Sequence, residues 1–170
     1  MSTKFDYRLL NENDTSLIFN FNSSIDNLAF VPRSPINNIS EAELLLSKFL
    51  KSMDDKTAIW WAFYCLRSGK PFGYGGLFEI DLENKRAEIG YGLLKEFWGR
   101  GFASSIVEII TRYGFEELKL HRIYGLVDPD NMASLRVLEK NGYSNEGTMH
   151  DFFFARGKFF DMCMVAKIMR

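Results

Sequence analysis

Residues 88–105, Glu88-Ile-Gly-Tyr-Gly-Leu-Leu-Lys-Glu-Phe-Trp-Gly-Arg-Gly-Phe-Ala-Ser-Ser105, decide how the rest of the chain is read. Glycine weakens a strand interior, so Gly90 and Gly92 mark a bulge or a place where a ligand or another backbone comes close. The strand is expected to splay there. Downstream, Gly99-Arg100-Gly101-Phe102-Ala103 joins the strand to a helix. Small residues at such a junction leave unpaired N–H groups at the positively polarised helix end, which suits a phosphate.

The neighbouring segments supply the topology. After the junction Ala103, Ile106, Val107, Ile110, Tyr113, Gly114 and Leu118 recur at helical spacing, which predicts an amphipathic helix of about four turns. His121–Val127 reads as a strand, and Asn131 opens a helix that Asn141-Gly142 stops. Tyr143–Phe154 and Lys158–Ile168 form a terminal hairpin around Ala155-Arg156-Gly157. Upstream, Thr57–Leu66, Phe72–Asp81 and Arg86–Leu94 read as an antiparallel meander, since aromatic and β-branched runs alternate with turn residues. Phe5–Leu10 is a first strand. Asn13 or Asp14 caps a helix to about Asn20, and Ser40 with Glu43 is a capping box for a helix through Leu50. The segment Asn22–Asn38, rich in Asn, Ser and Pro, is a long loop, either a binding lid or a solvated connection. The order βααβββαβαββ is an α+β fold with one parallel crossover.

The junction admits three readings. It is a tight connection, a dinucleotide fingerprint, or a pyrophosphate site beside a splayed strand. The second is disfavoured because Ser104 occupies the third glycine position, bulky Phe97 and Trp98 precede the turn, and an antiparallel meander comes first. The pattern GxxxxGK[ST] is absent. A pyrophosphate site that receives a long, amide-bearing arm fits best.

Composition narrows the function. The 170 residues suit one domain, 1–170. Twenty-one basic against 22 acidic side chains give a net charge of −1, with no surplus for tracking nucleic-acid phosphates. The run Met1–Tyr7 lacks a basic-then-apolar signal, and the longest apolar run, Ala58–Leu66, is too short for a bilayer, so a cytoplasmic protein with no membrane partner is expected. Cys65 and Cys163 have no metal-ligand spacing and read as reduced core thiols, and no metal is expected. A monomer or homodimer is expected.

The runs Ala87–Ser105 and His121–Gly147, followed by a hairpin holding Gly157 and Asp161, resemble the GNAT acetyltransferase superfamily, closest to its ribosomal-protein N-terminal acetyltransferase branch. The resemblance implies a mixed, mostly antiparallel central sheet splayed between two parallel strands and flanked by helices. It implies acetyl-CoA as co-substrate, its pyrophosphate on the amides of Arg100, Gly101, Phe102, Ala103 and Ser104, with Gly99 in the same turn. The pantetheine arm would lie between Arg86–Leu94 and His121–Val127, against Leu93 and Leu94. In the superfamily pattern Gln/Arg-x-x-Gly-x-Gly/Ala, Gly101 and Ala103 match while Trp98 replaces Gln/Arg. Asn131 and Ser134 match positions facing the thioester, although Asn131 is also a competent N-cap.

N-acetylation needs a base for the amine and fixed donors for the oxyanion. Amides near Leu93, freed by the splay, are candidate donors. Glu88 is the leading base, directly or through water; the alternative is a structural partnership with Arg86 or Lys85. Glu79 on the adjacent strand is next. A tyrosine that many superfamily members carry is replaced by Leu138, which leaves Ser134 as the nearest hydroxyl for the departing thiolate. His150 on the hairpin either faces the acceptor or is a bystander. The acceptor is expected to be a peptide or protein N-terminal amine, with a small amine, or a silent acyl-CoA-binding module, as the alternative. The loop Asn22–Asn38, with Phe30, Val31 and Pro32, and the hairpin near His150–Phe154 would bound it, and Asp26 and Asp151 are their main acids.

Overall fold

The computed structural model describes residues 5–170; residues 1–4, the first part of the run Met1–Tyr7 that lacks a targeting signal, lie outside it. Seven strands form one sheet: β1 (Phe5–Leu9), β2 (Ile59–Cys65), β3 (Pro71–Asp81), β4 (Arg86–Leu93), β5 (Arg122–Val127), β6 (Ser144–Ala155) and β7 (Lys158–Ile168). Their spatial order is β1-β2-β3-β4-β5-β7-β6. All pairs are antiparallel except β4–β5, the strands joined through α3 (Phe102–Glu116). The other helices are α1 (Thr15–Asn22), α2 (Ile39–Asp54) and α4 (Met132–Lys140).

Strand alternation divides the core into two layers. Trp61 and Phe63 of β2 and Ala87, Ile89 and Leu93 of β4 pack with Ile106, Val107 and Ile110 of α3 and Leu138 of α4. Trp60 and Ala62 join Leu17, Ile18 and Phe21 of α1 and Ala42 and Leu46 of α2 on the opposite face. A side chain at Gly92 would collide with the Phe21 ring, so that glycine lets α1 settle on the sheet.

The helix starts differ from the sequence reading. Asn38, not Ser40, caps α2, its side chain accepting from the Glu41 amide at 3.0 Å, while Glu41 accepts from the Asn37 amide. Asparagine outcompetes serine here because the chain is already extended at Asn38. α2 also runs past Leu50 to Asp54. Asp14 stands at the N-cap position of α1, one of the two residues expected there, but its side chain makes no cap bond to that helix and instead closes the capping box that Asn11 opens on the preceding 3-10 turn. Cys163 is buried as expected, whereas Cys65, at the end of β2, is only half-buried and is not a core thiol.

Asp14 is nearly inaccessible, and its carboxylate accepts from both terminal nitrogens of Arg8, at 2.8 and 2.9 Å, from the Tyr64 hydroxyl and from the Asn11 amide. Asp14→Ala removes the acceptor that these donors share, leaving Arg8 Nη1 only the Leu9 carbonyl, and a loss of about 2–3 kcal/mol is expected on the scale of hydrogen bonds to charged groups. Urea unfolding measures it; a midpoint unchanged from the parent would contradict this.

The segment between α1 and α2 is pinned to the rest of the protein. Asn27 donates to the Asn20 and Phe21 carbonyls and accepts from the Lys95 amide. Arg33 donates to Asn22, which also bonds the Tyr74 hydroxyl. From the hairpin turn, one nitrogen of Arg156 donates to the carbonyls of Leu28, Val31 and Arg33 at 2.9–3.1 Å.

Candidate active site

β4 and β5 are paired only from Arg86–Arg122 to Glu88–Tyr124 and then part. The Leu94 amide donates to the Phe72 carbonyl, so by antiparallel alternation the N–H groups of Tyr91 and Leu93 point away from β3, toward the gap β5 has left. The expected splay is present. Leu94 is a correction: its amide is spent on β3 and its side chain packs with the α1–α2 layer, so it does not face the gap.

The gap opens into a cavity of about 440 Å³ lined by Leu93, Gly99, Gly101, Phe102, Ala103, Ser104, Asn131 and Ser134, with Tyr91, Phe30 and Val31 closing its sides. The α3 end meets the demands of a phosphate. Gly101 sits at φ +80°, a left-handed turn with open space where a Cβ would stand, and no side chain caps the first amides of α3. There is no acid in that first turn. Acetyl-CoA therefore fits these residues. Arg100 is exposed and lies over the Phe97 ring at 5.3 Å, while Asn141 donates to the Ser104 hydroxyl. Trp98, at the Gln/Arg position, donates from its indole nitrogen to the Leu93 carbonyl at 2.8 Å and holds the turn rather than a phosphate.

Asn131 is the N-cap of α4, its side chain accepting from the Ser134 amide at 3.1 Å. Ser134 Oγ lies 2.6 Å from the Tyr91 hydroxyl, a partnership between β4 and α4 that sequence reasoning missed.

Glu88 is not in that cavity. It sits on the face of the sheet that packs toward α1 and α2, in a cross-strand row with Phe78 and Tyr124 and outside the cavity's lining. No ion pair among the described residues reaches it; Arg86 is paired with Asp81 at 3.4 Å instead, so the structural partnership that could have occupied Glu88 is not formed. Burial, reinforced by the nearby Glu79 charge, pushes the Glu88 carboxyl up to about 7. Glu79 is exposed, at φ +49° in a β3 bulge. His150 pairs with Asp161 at 2.8 Å on the exposed hairpin, and Asp161 also accepts from the Asp151 amide, whose bond is the main reason its carboxyl lies below the usual range.

Together these features suit acyl transfer: a helix end open to an anion, a gap edged by free amides, and a titratable carboxyl on the neighbouring strand surface. Residues 5–144 match the acetyltransferase (GNAT) domain model, and the chain belongs to that family. It is an acetyl-CoA-dependent N-acetyltransferase with the GNAT fold. Among its relatives are an uncharacterized N-acetyltransferase p20 of Bacillus licheniformis, 32% identical over 81% of this chain and 77% of that protein, and the spermidine N(1)-acetyltransferase of Escherichia coli K12, 30% identical over 79% and 72%. The crystal structure of spermidine N-acetyltransferase from Vibrio cholerae, in complex with CoA and spermine, superposes with a TM-score of 0.86 at 24% identity, covering 97% of this chain and 95% of that one, a likeness of fold. No helix among the described residues is long and apolar enough to cross a membrane, and none of their acidic, histidine and cysteine side chains form a metal-binding group.

Proposed function

We propose that the acetyl group passes to the α-amine of a peptide or amino acid in the cytoplasm. The observation that carries this is the state of the acids around the acceptor side. Asp161 is held by His150, Glu146 by Arg122, Asp26 by Lys95 and Asp81 by Arg86. That leaves Glu88, Glu79 and Asp151 for an ammonium, and of these only Glu88 is substantially buried, which suits one charge that reaction will remove. A polyamine carries further charges that each need a partner once out of water. Branch resemblance supports the same reading.

Bound acetyl-CoA supplies an activated thioester. Gly101–Ser104 hold its pyrophosphate on the amides of α3, and Leu93 offers its N–H to the carbonyl oxygen as negative charge develops. Glu88 takes the proton of the amine, through water because it does not itself line the cavity. A carboxyl half-ionised at about 7 is matched to that task.

The test is an acceptor panel read by free thiol release. Transfer is expected to a peptide with a free N-terminus and none to the same peptide after formylation. The second reading is a polyamine acceptor, favoured by the name of the Escherichia coli relative. Turnover of spermidine without any of peptide would establish it and overturn the first.

A further inference from the structure

We infer that Tyr91 is a positioning residue that frees the Ser134 hydroxyl to hydrogen-bond the sulfur leaving the thioester. This rests on the acetyl-transfer reading above. One turn beyond Ser134 on α4 the chain carries buried Leu138, so that helix offers no phenol there. Here a phenol arrives instead from β4, across the gap. Tyr91 and Ser134 both line the cavity, their oxygens 2.6 Å apart.

Which oxygen donates follows from acidity. A phenol is a far stronger hydrogen-bond donor than an alkyl alcohol and a weaker acceptor, so the proton between them is that of Tyr91. Ser134 Oγ has no other hydrogen-bond partner among the described residues, and its own proton is left to point into the cavity. Burial keeps the Tyr91 phenol protonated, lifting it to about 12. It is therefore too weak an acid to hand its proton to a thiolate and acts through Ser134. The Ser134 hydroxyl sits in the first turn of α4, where the helix end also favours a negative charge. The amine nitrogen bonds to the acetyl carbon as the C–S bond breaks with its electron pair left on sulfur, and the proton that the nitrogen loses toward Glu88 balances the one that the thiolate takes from solvent to leave as thiol.

The test reads the thiol and not the turnover. CoA is bound to the intact protein and its thiolate absorbance is titrated in the parent, Tyr91→Phe, Ser134→Ala and the double variant. The parent should lower the bound thiol's pKa below that of free CoA. Each single variant should raise it by about one unit, a tenfold loss in ionisation, and the double variant no further, because both act on one hydrogen bond. Acetyl transfer should fall about tenfold in kcat, with the KM for acetyl-CoA within a factor of two. Should Tyr91→Phe fail to fold, Ser134→Ala, at the half-buried start of α4, carries the comparison. A thiol pKa identical in the parent and Ser134→Ala overturns the inference, as does a Tyr91→Phe variant that weakens CoA binding but leaves that pKa in place. A parent that does not bind CoA would instead overturn the acetyl-transfer reading of the cavity.

Discussion

Gly101→Glu protein is expected to fold and to bind acetyl-CoA about 100-fold more weakly than the parent, a loss of about 2.7 kcal/mol. Two causes act together. The left-handed turn at φ +80° is one a side chain adopts only at a cost of about 1 kcal/mol. The larger cause is charge. Open space around the Cβ position lets the new carboxylate stay at the helix end, where it competes for the α3 amides and repels the pyrophosphate. Circular dichroism confirms folding and calorimetry reads the affinity. Binding within threefold of the parent would mean the pyrophosphate lies elsewhere.

Glu88→Gln should produce the largest catalytic loss, about 10²–10⁴-fold in kcat/KM, the range of a lost general base. Its pH profile carries the sharper information. A carboxyl accepts a proton only when ionised, so the parent's rate should rise with pH and level off above about 7, where Glu88 titrates. Glutamine never ionises, so that limb vanishes and only the limb from the amine's own deprotonation remains. Burial is the first cause of the raised value and the Glu79 charge the second. Glu79→Gln should therefore move the limb to lower pH without abolishing it. A Glu88→Gln profile that keeps the parent's limb transfers the base role to ordered water or to Glu79.

What the sequence made legible was whatever backbone conformation demands. Small residues such as Gly101 and Ala103 at a strand-to-helix junction, and Gly92 inside a strand, are tolerated there chiefly because something must come close, and the splay and the cradle follow from them. Glu88 was legible as a carboxylate on β4. Its burial was not, because it depends on Phe78 and Tyr124, one on β3 and the other on β5. Tyr91 was hidden for a different reason: in a strand, tyrosine reads as β-propensity, and its partner Ser134 lies 43 residues away. Leu94 was misread because strand parity at the splay is set by which amide β3 claims. At Asn38 two good capping residues stood two apart, and only the path of the preceding chain chose between them.

Arg156 grips main-chain carbonyls, not side chains, of the segment carrying Phe30 and Val31. Its hold is blind to what those side chains are. Mutations at Phe30 and Val31 can thus diversify this wall of the cavity while its path through space stays fixed. Wall and turn form a two-piece cassette: a graft of this segment from a relative would sit correctly only if an arginine-bearing hairpin turn were carried with it. New acceptor specificities in such a scaffold would then arise by repainting the wall, with the anion cradle at α3 left untouched.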